Sequence, residues 1–387
     1  MAKSLRGAEP SRGQILARLI AEPHLSRREL VDRLGLGGAT VTAQVRRLLD
    51  MGILRELPTQ VSGAGRPRVP LEVNPHRGIL IGVSVERLSM VVAAVRLDGT
   101  LVEVRRQALD TTDAVSAAAA VGRAAQALMD AHASLDCWGV GVALSGVVRE
   151  RQGIVAFSVV HGWQFVPFGK LIATHLTVPV MLVNDVHALA QRELSRTGVS
   201  NPNDFLLVSV GVGVGMALVR GHQVVPGSRG ASTEIGHVSV DPMGPRCGCG
   251  NTGCLQALVG SEELAAAVSR TVSGRVTDLA GVVAVAGTNR SAAILLDRAG
   301  YWLGRALGGA ITLLGLPDVL LTGETTVLWD HMEVGFATGL AETVLTLPKP
   351  PRIARRPWDA DATAVGAAGL ALARVISGGV HESGDGN

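Results

Sequence analysis

The chain has 387 residues, of which 47% are apolar and 18% are charged. This composition supplies enough apolar residues for sizeable buried cores, excludes a chain that is disordered throughout, and fits two or three domains by length. Aromatic residues make up only 3% of the chain, which disfavours a surface on which single-stranded bases stack.

Charge is unevenly distributed along the chain. Residues 1–77 hold 13 basic and 7 acidic side chains, whereas the rest of the chain holds 23 basic and 26 acidic ones. A basic head on a mildly acidic body indicates that the head contacts a polyanion, although a solvated basic surface gives the same pattern.

Neither membrane nor secretory signals stand out in the sequence. The best apolar run, residues 306–316, is too short for a membrane span and ends before Pro317-Asp318, and no apolar core precedes Ser11. Three of the four cysteines fall within eight residues, which is not typical of a secreted disulfide framework. We therefore expect a cytoplasmic protein with no membrane partner.

The head contains signals for three helices. The first is predicted to begin near Ser11 and to end at Pro23. Ser26 and Glu29 form a capping-box pattern at the start of the second helix, which runs to about Leu34. The third helix is predicted over residues 39–50, after a tight glycine turn. Two short helices joined by such a turn are typical of a helix-turn-helix.

The third helix is the predicted recognition helix. Valine and leucine side chains repeat at helical spacing on its inner face, which leaves polar side chains on the other side. Threonine, glutamine and arginine side chains are suited to base edges and phosphates. The predicted DNA contacts on this helix are Thr40, Thr42, Gln44, Arg46 and Arg47.

A predicted wing follows the third helix. Residues 52–57 and 70–73 read as a strand and its return, and the glycine-rich loop between them carries Arg66 and Arg68 around Pro67. Arginines on a stiff loop suit a narrow minor groove, where the negative potential is concentrated. The head is therefore predicted to be a winged helix-turn-helix that binds double-stranded operator DNA, and the alternative is a protein-docking module.

The body, from residue 78 onward, alternates strand and helix patterns. Polar residues such as Asn184-Asp185 follow directly after predicted apolar strands. This pattern predicts an α/β body with a site at the strand ends. The expected organisation is a head at 1–77 and a body at 78–387, whose lobes are about 78–190 with 363–387, and 191–362.

A cysteine-rich segment carries the most specific chemical signal. His237 is followed by Cys247, Cys249 and Cys254, which together provide one imidazole and three thiols. Four such ligands suit one tetrahedral structural Zn²⁺ per chain, because no position is left open for catalysis. The alternative is that the cysteines are free and buried, with an unrelated histidine.

These motifs resemble those of the ROK family, which groups bacterial sugar kinases with repressors built on the same fold. The resemblance covers essentially the whole chain and rests on three motifs: Gly65-Arg66-Pro67 in the wing, Asn184-Asp185, and Glu234-Ile235-Gly236-His237 with the three cysteines. It implies a two-lobed, sugar-kinase-like body of the actin and hexokinase type behind the winged head. It also implies a transcriptional regulator, most simply a repressor.

The resemblance further implies a sugar site. In ROK kinases the aspartate of the Asn-Asp pair is the base, and the asparagine, the glutamate and the zinc-bound histidine hold sugar hydroxyls. The residues that match here are Asn184, Asp185, Glu234 and His237, with Gly146 as a weaker match. Gln256 stands where the family often has a glutamate. These groups alternatively serve only as structural hydrogen bonds beside the zinc.

The nucleotide side departs from the kinase pattern. The kinase motif Asp-x-Gly-Gly-Thr-Lys corresponds to residues 84–89, which have neither the aspartate nor the glycine pair, and Glu86 adds negative charge. The second phosphate loop is Gly211-Val212-Gly213 and has no hydroxyl. Because phosphoryl transfer depends on positioning and charge neutralisation, we expect no enzymatic activity. A ROK sugar kinase and a regulator that no longer binds an effector remain as alternatives.

The expected assembly is a symmetric homodimer or homotetramer. One small winged helix buries too little surface for tight and specific binding, so two half-sites are needed. The expected partners are operator DNA and a sugar or sugar derivative.

Overall fold

The computed structural model describes residues 10–59, 68–196, 202–227, 234–272, 274–345 and 350–376. The chain divides into two compact units, Met1–Asn201 with Asp361–Asn387, and Pro202–Ala360. The domain and lobe boundaries predicted at residues 77, 190 and 362 stay predictions.

The first unit begins with three helices and a short antiparallel strand pair: α1 (Pro10–Ala21), α2 (Arg27–Leu34), α3 (Gly38–Asp50), β1 (Leu54–Glu56) and β2 (Leu71–Val73). The predicted capping box is confirmed, since the Ser26 hydroxyl accepts from the Glu29 amide and the Glu29 carboxylate accepts from the Ser26 amide. Gly35 ends α2 with φ 64°, a left-handed conformation that favours glycine and turns the chain toward α3.

The rest of the first unit contains β3 (Ile79–Val85), β4 (Ser89–Arg96), β5 (Leu101–Ala108), α4 (Ala114–Ala131), β6 (Cys137–Leu144), α5 (Phe168–Ala173), β10 (Val180–Asn184), α6 (Asp185–Leu194) and α12 (Ala362–Ile376). These five strands form one sheet in the order β10-β6-β3-β4-β5. Every residue of β3 is buried. A three-stranded sheet, β7 (Val147–Arg149), β8 (Ile154–Ser158) and β9 (Trp163–Val166), completes the unit.

Helix α12 lies directly on the sheet and on α6. A Cβ atom added at Gly82 in β3 or at Gly141 in β6 would overlap a backbone carbonyl of α12, and Gly366 in α12 meets the backbone of α6 in the same way. Glycine is required at these positions because the backbones are in contact. Helix α6 therefore begins directly after β10, and its later residues pack against α12.

The second unit contains β11 (Phe205–Val210), β12 (Val214–Arg220), β13 (Gln223–Val224), α7 (Gln256–Val259), α8 (Ser261–Ser269), α9 (Leu279–Ala286), α10 (Arg290–Leu314), β14 (Asp318–Thr322), α11 (Trp329–Thr343) and β15 (Arg352–Arg355). Its strands form a second five-stranded sheet in the order β13-β12-β11-β14-β15. Two 3-10 turns cover Ile235–His237 and Glu324–Leu328.

Among the described residues, no single helix has the length and apolar character needed to cross a membrane. Helices α9 and α10 meet those criteria only when taken together, and they are bent by 117° at their junction.

Candidate functional site

The candidate DNA-binding face is the outer side of α3. Val41, Val45 and Leu48 are fully buried and hold the helix on the head core, as its pattern predicts. Four of the predicted contacts are exposed, namely Thr40, Thr42, Arg46 and Arg47. The Thr42 hydroxyl donates to the Gly38 carbonyl, one turn earlier in the helix, at 2.8 Å. The exposed face thus offers two cations and two hydroxyls on one short helix.

Gln44 does not belong to this face. Its side chain is only 3% exposed, and its Oε1 accepts from Nε of Arg12 at 3.0 Å. The prediction of an exposed, base-reading Gln44 is therefore wrong. The physical reason is that Arg12, from α1, is itself buried and uses the amide oxygen as an acceptor.

The wing is described in part. Strands β1 and β2 pair antiparallel with Leu54 opposite Val73, as the strand prediction requires, but Arg66 lies outside the described residues. Nη2 of Arg68 donates to the His24 carbonyl and to the Glu29 carboxylate, at 2.9 Å each. Arg68 is thus tied to the loop before α2 and to α2 itself, and its role in DNA contact stays a prediction.

The candidate metal centre lies in the second unit. Ligand atoms of His237, Cys247, Cys249 and Cys254 all lie within 4.8 Å of one another. Two of the distances, Cys249 Sγ to Cys254 Sγ and Cys247 Sγ to His237 Nδ1, are each 3.7 Å. A tetrahedral ion with ligands at about 2.3 Å has edges of roughly 3.8 Å, so this side-chain set fits a metal of that geometry.

The local backbone explains how the four ligands converge. Gly253 has φ 66° and a Cβ there would overlap the backbone of Asp241, so the chain turns tightly just before Cys254. The Cys247 amide donates to the Asn251 carbonyl at 2.8 Å and closes the turn that carries Cys249. Burial lowers the pKa of His237, which favours the neutral imidazole that binds metals.

In the first unit, Asn184 organises the start of α6. Its Oδ1 accepts from the amides of Val186 and His187, at 3.0 and 3.2 Å, and its Nδ2 donates to the Gly146 carbonyl at 3.0 Å. The predicted neighbours Asn184 and Gly146 are therefore in direct contact. Because an amide nitrogen carries two hydrogens, one donor of Nδ2 is left over from these bonds.

Asp185 is the first residue of α6. Burial raises its pKa, although the Val186 amide at 2.9 Å and a hydrogen bond with Ser145 act in the opposite direction. Gly146 has φ 124°, and a Cβ there would overlap the Phe157 carbonyl. The turn 145–146 thus brings a hydroxyl and a backbone carbonyl against the Asn-Asp pair.

The structure adds three residues that sequence reasoning missed. Glu150 accepts from Nδ1 of His187 at 2.8 Å and from the Asn184 amide at 3.4 Å, and it pairs with Arg374 of α12. Burial raises the pKa of Glu150, but the His187 hydrogen bond and the Arg374 charge outweigh it and leave the pKa lowered. Nothing in the sequence signals this cluster, because Arg374 is 224 positions away from Glu150.

The remaining predicted effector residues, Glu234 and His237, lie in the second unit. Glu234 precedes and His237 ends a 3-10 turn in which the His237 amide donates to the Glu234 carbonyl at 3.0 Å. Gly236 between them packs against the Val214 carbonyl, where a Cβ would overlap. The turn therefore holds the Glu234 backbone next to His237, one of the four residues of the candidate metal centre.

A glutamate side chain, Glu324, lies beside Gly211 in the turn that corresponds to the second phosphate loop. Oε1 of Glu324 lies 3.4 Å from where a Cβ of Gly211 would stand, and it accepts from the Ser261 hydroxyl at 2.7 Å. In ROK kinases this turn is the phosphate loop implied by the resemblance above. A carboxylate beside it repels phosphate, which agrees with the expectation of no phosphoryl transfer.

The ROK family model matches residues 80–374, and a winged helix-turn-helix DNA-binding model matches residues 9–55. The chain belongs to the ROK family. Among curated relatives of this ROK protein, a putative xylose repressor of Caldicellulosiruptor sp. is 27% identical over 68% of the chain and 67% of the relative. The transcriptional regulator Rv0485 of Mycobacterium tuberculosis is 32% identical over 78% of the chain and 72% of the relative.

Solved structures agree on the fold of this ROK protein. A ROK family transcriptional regulator described as a homologue of the E. coli MLC protein has a TM-score of 0.79 at 23% identity, over 96% and 97% of the two chains. A ROK glucokinase from Streptomyces griseus has a TM-score of 0.63 at 21% identity, over 76% of this chain and 99% of the other. The predicted winged head and sugar-kinase-like body are confirmed. The chain is a DNA-binding transcriptional regulator, and its role is not that of an enzyme.

Proposed function

We propose that this ROK regulator is a repressor whose operator affinity is controlled by a sugar or sugar derivative. The observation that carries the proposal is the Asn184-Asp185 pair, which is held against Gly146 with a donor of Asn184 left over and a carboxylate at the helix start. Sugars are recognised by such amide and carboxylate groups, since a hydroxyl that loses its partner is costly. Similarity to the putative xylose repressor of Caldicellulosiruptor sp. and to the xylose repressor of Bacillus spizizenii supports repression as the regulatory effect.

In this proposal, Glu234 and His237 supply further partners for the hydroxyls. The ion at the four-ligand centre is Zn²⁺, because three cysteines and one histidine form a soft ligand set and the distances between their ligand atoms suit a tetrahedral ion. The zinc would hold its segment of the chain in place and take no part in chemistry. The protein acts in the cytoplasm as a symmetric homodimer or homotetramer, so that two heads reach two half-sites.

The test begins with a duplex that the full-length protein selects from a random library. Its affinity is measured at fixed salt with and without D-xylose, D-glucose, N-acetyl-D-glucosamine and the 6-phosphates of the two hexoses. We expect at least one probe to change the affinity. If the probes fail to alter it and calorimetry detects no binding, the proposal is wrong and the effector site has been lost.

Glu234→Ala is the variant that tests the site. It should bind DNA normally and bind the active sugar about ten- to a hundredfold more weakly, because hydrogen bonds to a charged group are worth about 1.5–3 kcal/mol. Glu333→Ala, an exposed position in α11, is the matched control. An undiminished sugar response in Glu234→Ala would remove this residue from the site. ATP hydrolysis that depends on one of the sugars would instead favour the kinase.

A further inference from the structure

Glu150 joins three segments that are far apart in the chain. One carboxylate oxygen accepts from the Asn184 amide and from Nδ1 of His187, which places it under the first turn of α6. The other oxygen pairs with Nη2 of Arg374, and Nη1 of Arg374 donates to the Glu150 carbonyl at 3.3 Å. The Glu150 side chain is only 9% exposed. Its two oxygens thus connect the Asn-Asp segment to α12.

Helix α12 in turn reaches the DNA-binding head. Leu16 and Leu19 of α1 belong to the same apolar cluster as Val365 and Leu372 of α12. A cavity at this junction is lined by α1, by α12, by residues of β3 and β4, and by the end of α6 with its cap Ser195. Both helices that Glu150 connects therefore line one cavity together with α1.

We propose that Glu150 is a positioning residue of the effector site, and that it couples the Asn184-Asp185 segment through Arg374 and α12 to helix α1 of the DNA-binding head. The inference rests on the proposed function, because it assigns the route by which a ligand at that segment acts on DNA. A ligand changes DNA affinity only as far as it prefers one arrangement of the protein over another. A shift of the Asn184 backbone alters the geometry at Glu150, and the paired guanidinium carries that change to α12.

The pair suits this role for two reasons. A buried carboxylate needs its partners, so the arrangement of Asn184, His187 and Arg374 around Glu150 is costly to change independently. Helix α12 is attached to the sheet by backbone contacts at Gly82 and Gly141, so Arg374 is not needed to hold it there. Loss of the pair should therefore lower stability but leave α12 in its place on the sheet, so that both variants still fold.

The experiment uses full-length protein with Glu150→Gln and, separately, Arg374→Gln. Glu150→Gln keeps the shape but removes the charge, and Arg374→Gln leaves the Glu150–His187 contact in place. Glu103→Gln is the matched control, because Glu103 also accepts from a histidine, His132, at 2.9 Å in the same unit. Operator and sugar affinities are measured separately, and then each with the other ligand present.

Couplings of this kind are typically about 5- to 150-fold. We expect both variants to bind duplex, Glu150→Gln to bind sugar more weakly because Glu150 positions Asn184, and both variants to reduce the wild-type coupling to less than about twofold, while Glu103→Gln keeps it. A full wild-type coupling in Glu150→Gln and Arg374→Gln would overturn the inference and leave the proposed function intact. If no sugar changes the DNA affinity of wild type, the proposed function is wrong, and the route through Glu150 then has no ligand effect to transmit.

A second measurement needs no ligand and decides the inference in every case. Amide hydrogen exchange is compared between wild type and each variant under native conditions. We expect faster exchange in Glu150→Gln at the first turn of α6 and also in α12 and α1, more than 30 residues away in the chain. Exchange that changes only near residue 150 would show a local structural role and contradict the proposal.

Discussion

Arg12 in α1 donates through Nε to Oε1 of Gln44 in α3 across 3.0 Å, and both side chains are buried. This contact joins the first helix of the head to the predicted recognition helix. It places Gln44 on the inner side of α3, so that the side chain supports the fold instead of facing DNA.

Gln44→Ala should therefore lower the stability of the head. Removing one acceptor of the buried Arg12 guanidinium costs about 1–3 kcal/mol, which thermal and urea unfolding can measure. Thr40→Ala, at an exposed position on the same helix, should leave stability unchanged. If Gln44→Ala altered the preferred operator sequence and left stability intact, the assignment of Gln44 to the core would be wrong.

Arg46 and Arg47 should carry the phosphate contacts of α3. Each change to alanine should weaken binding to all duplexes alike and reduce the salt slope of binding by about one, because one fewer counterion is released. Titrations at several salt concentrations measure this slope. Arg123→Ala, an exposed arginine in α4, is the control and should leave the slope unchanged.

Purified protein should contain about one zinc per chain, as the ligand count requires. Cys249→Ser should lose the metal and unfold at a lower temperature, because three ligands hold the ion less tightly. Cys137→Ser provides the control, since Cys137 lies in β6 and outside the four-ligand cluster. Elemental analysis that finds no zinc in freshly prepared protein would exclude the metal site.

His161 should make stability depend on pH. It is 7% exposed, and within the described part of the chain neither ring nitrogen has a hydrogen-bond partner. Burial lowers the pKa of His161 to about 4, from an ordinary value of 6.5. Between these values the unfolded chain binds the proton and the folded chain does not, so stability falls as pH decreases from 6.5 to 4, by about 3 kcal/mol.

His161→Leu should remove this pH dependence. The measurement is the free energy of unfolding at several pH values in that window, compared with wild type. The exposed His175→Leu is the control. Equal pH profiles for His161→Leu and wild type would show that the His161 ring is protonated as easily in the folded chain as in the unfolded one.

Local patterns predicted much of the head and of the metal site. The Ser26 capping box and the cysteine spacing involve residues close in sequence, whose chemistry limits the backbone to few arrangements. The contacts of Gln44 and Glu150 could not be predicted in this way. Gln44 fits the polar face of a helix by periodicity, and only the position of Arg12, 32 residues away, makes it a core residue. The partner of Glu150 lies 224 residues away, so no local pattern could indicate it.

The glycine contacts beneath α12 have a mechanical consequence. Side chains between two packed elements can change rotamer and absorb a small displacement before the backbone moves. At Gly82, Gly141 and Gly366 no side chain separates the two elements, because their backbones are in contact. The packing of helix α12 on the sheet and on α6 is therefore rigid where the three elements cross. We therefore expect a displacement at this crossing to move the helix backbone itself, and the apolar side chains between α12 and α1, among them Leu372 and Leu16, to receive that movement at the head.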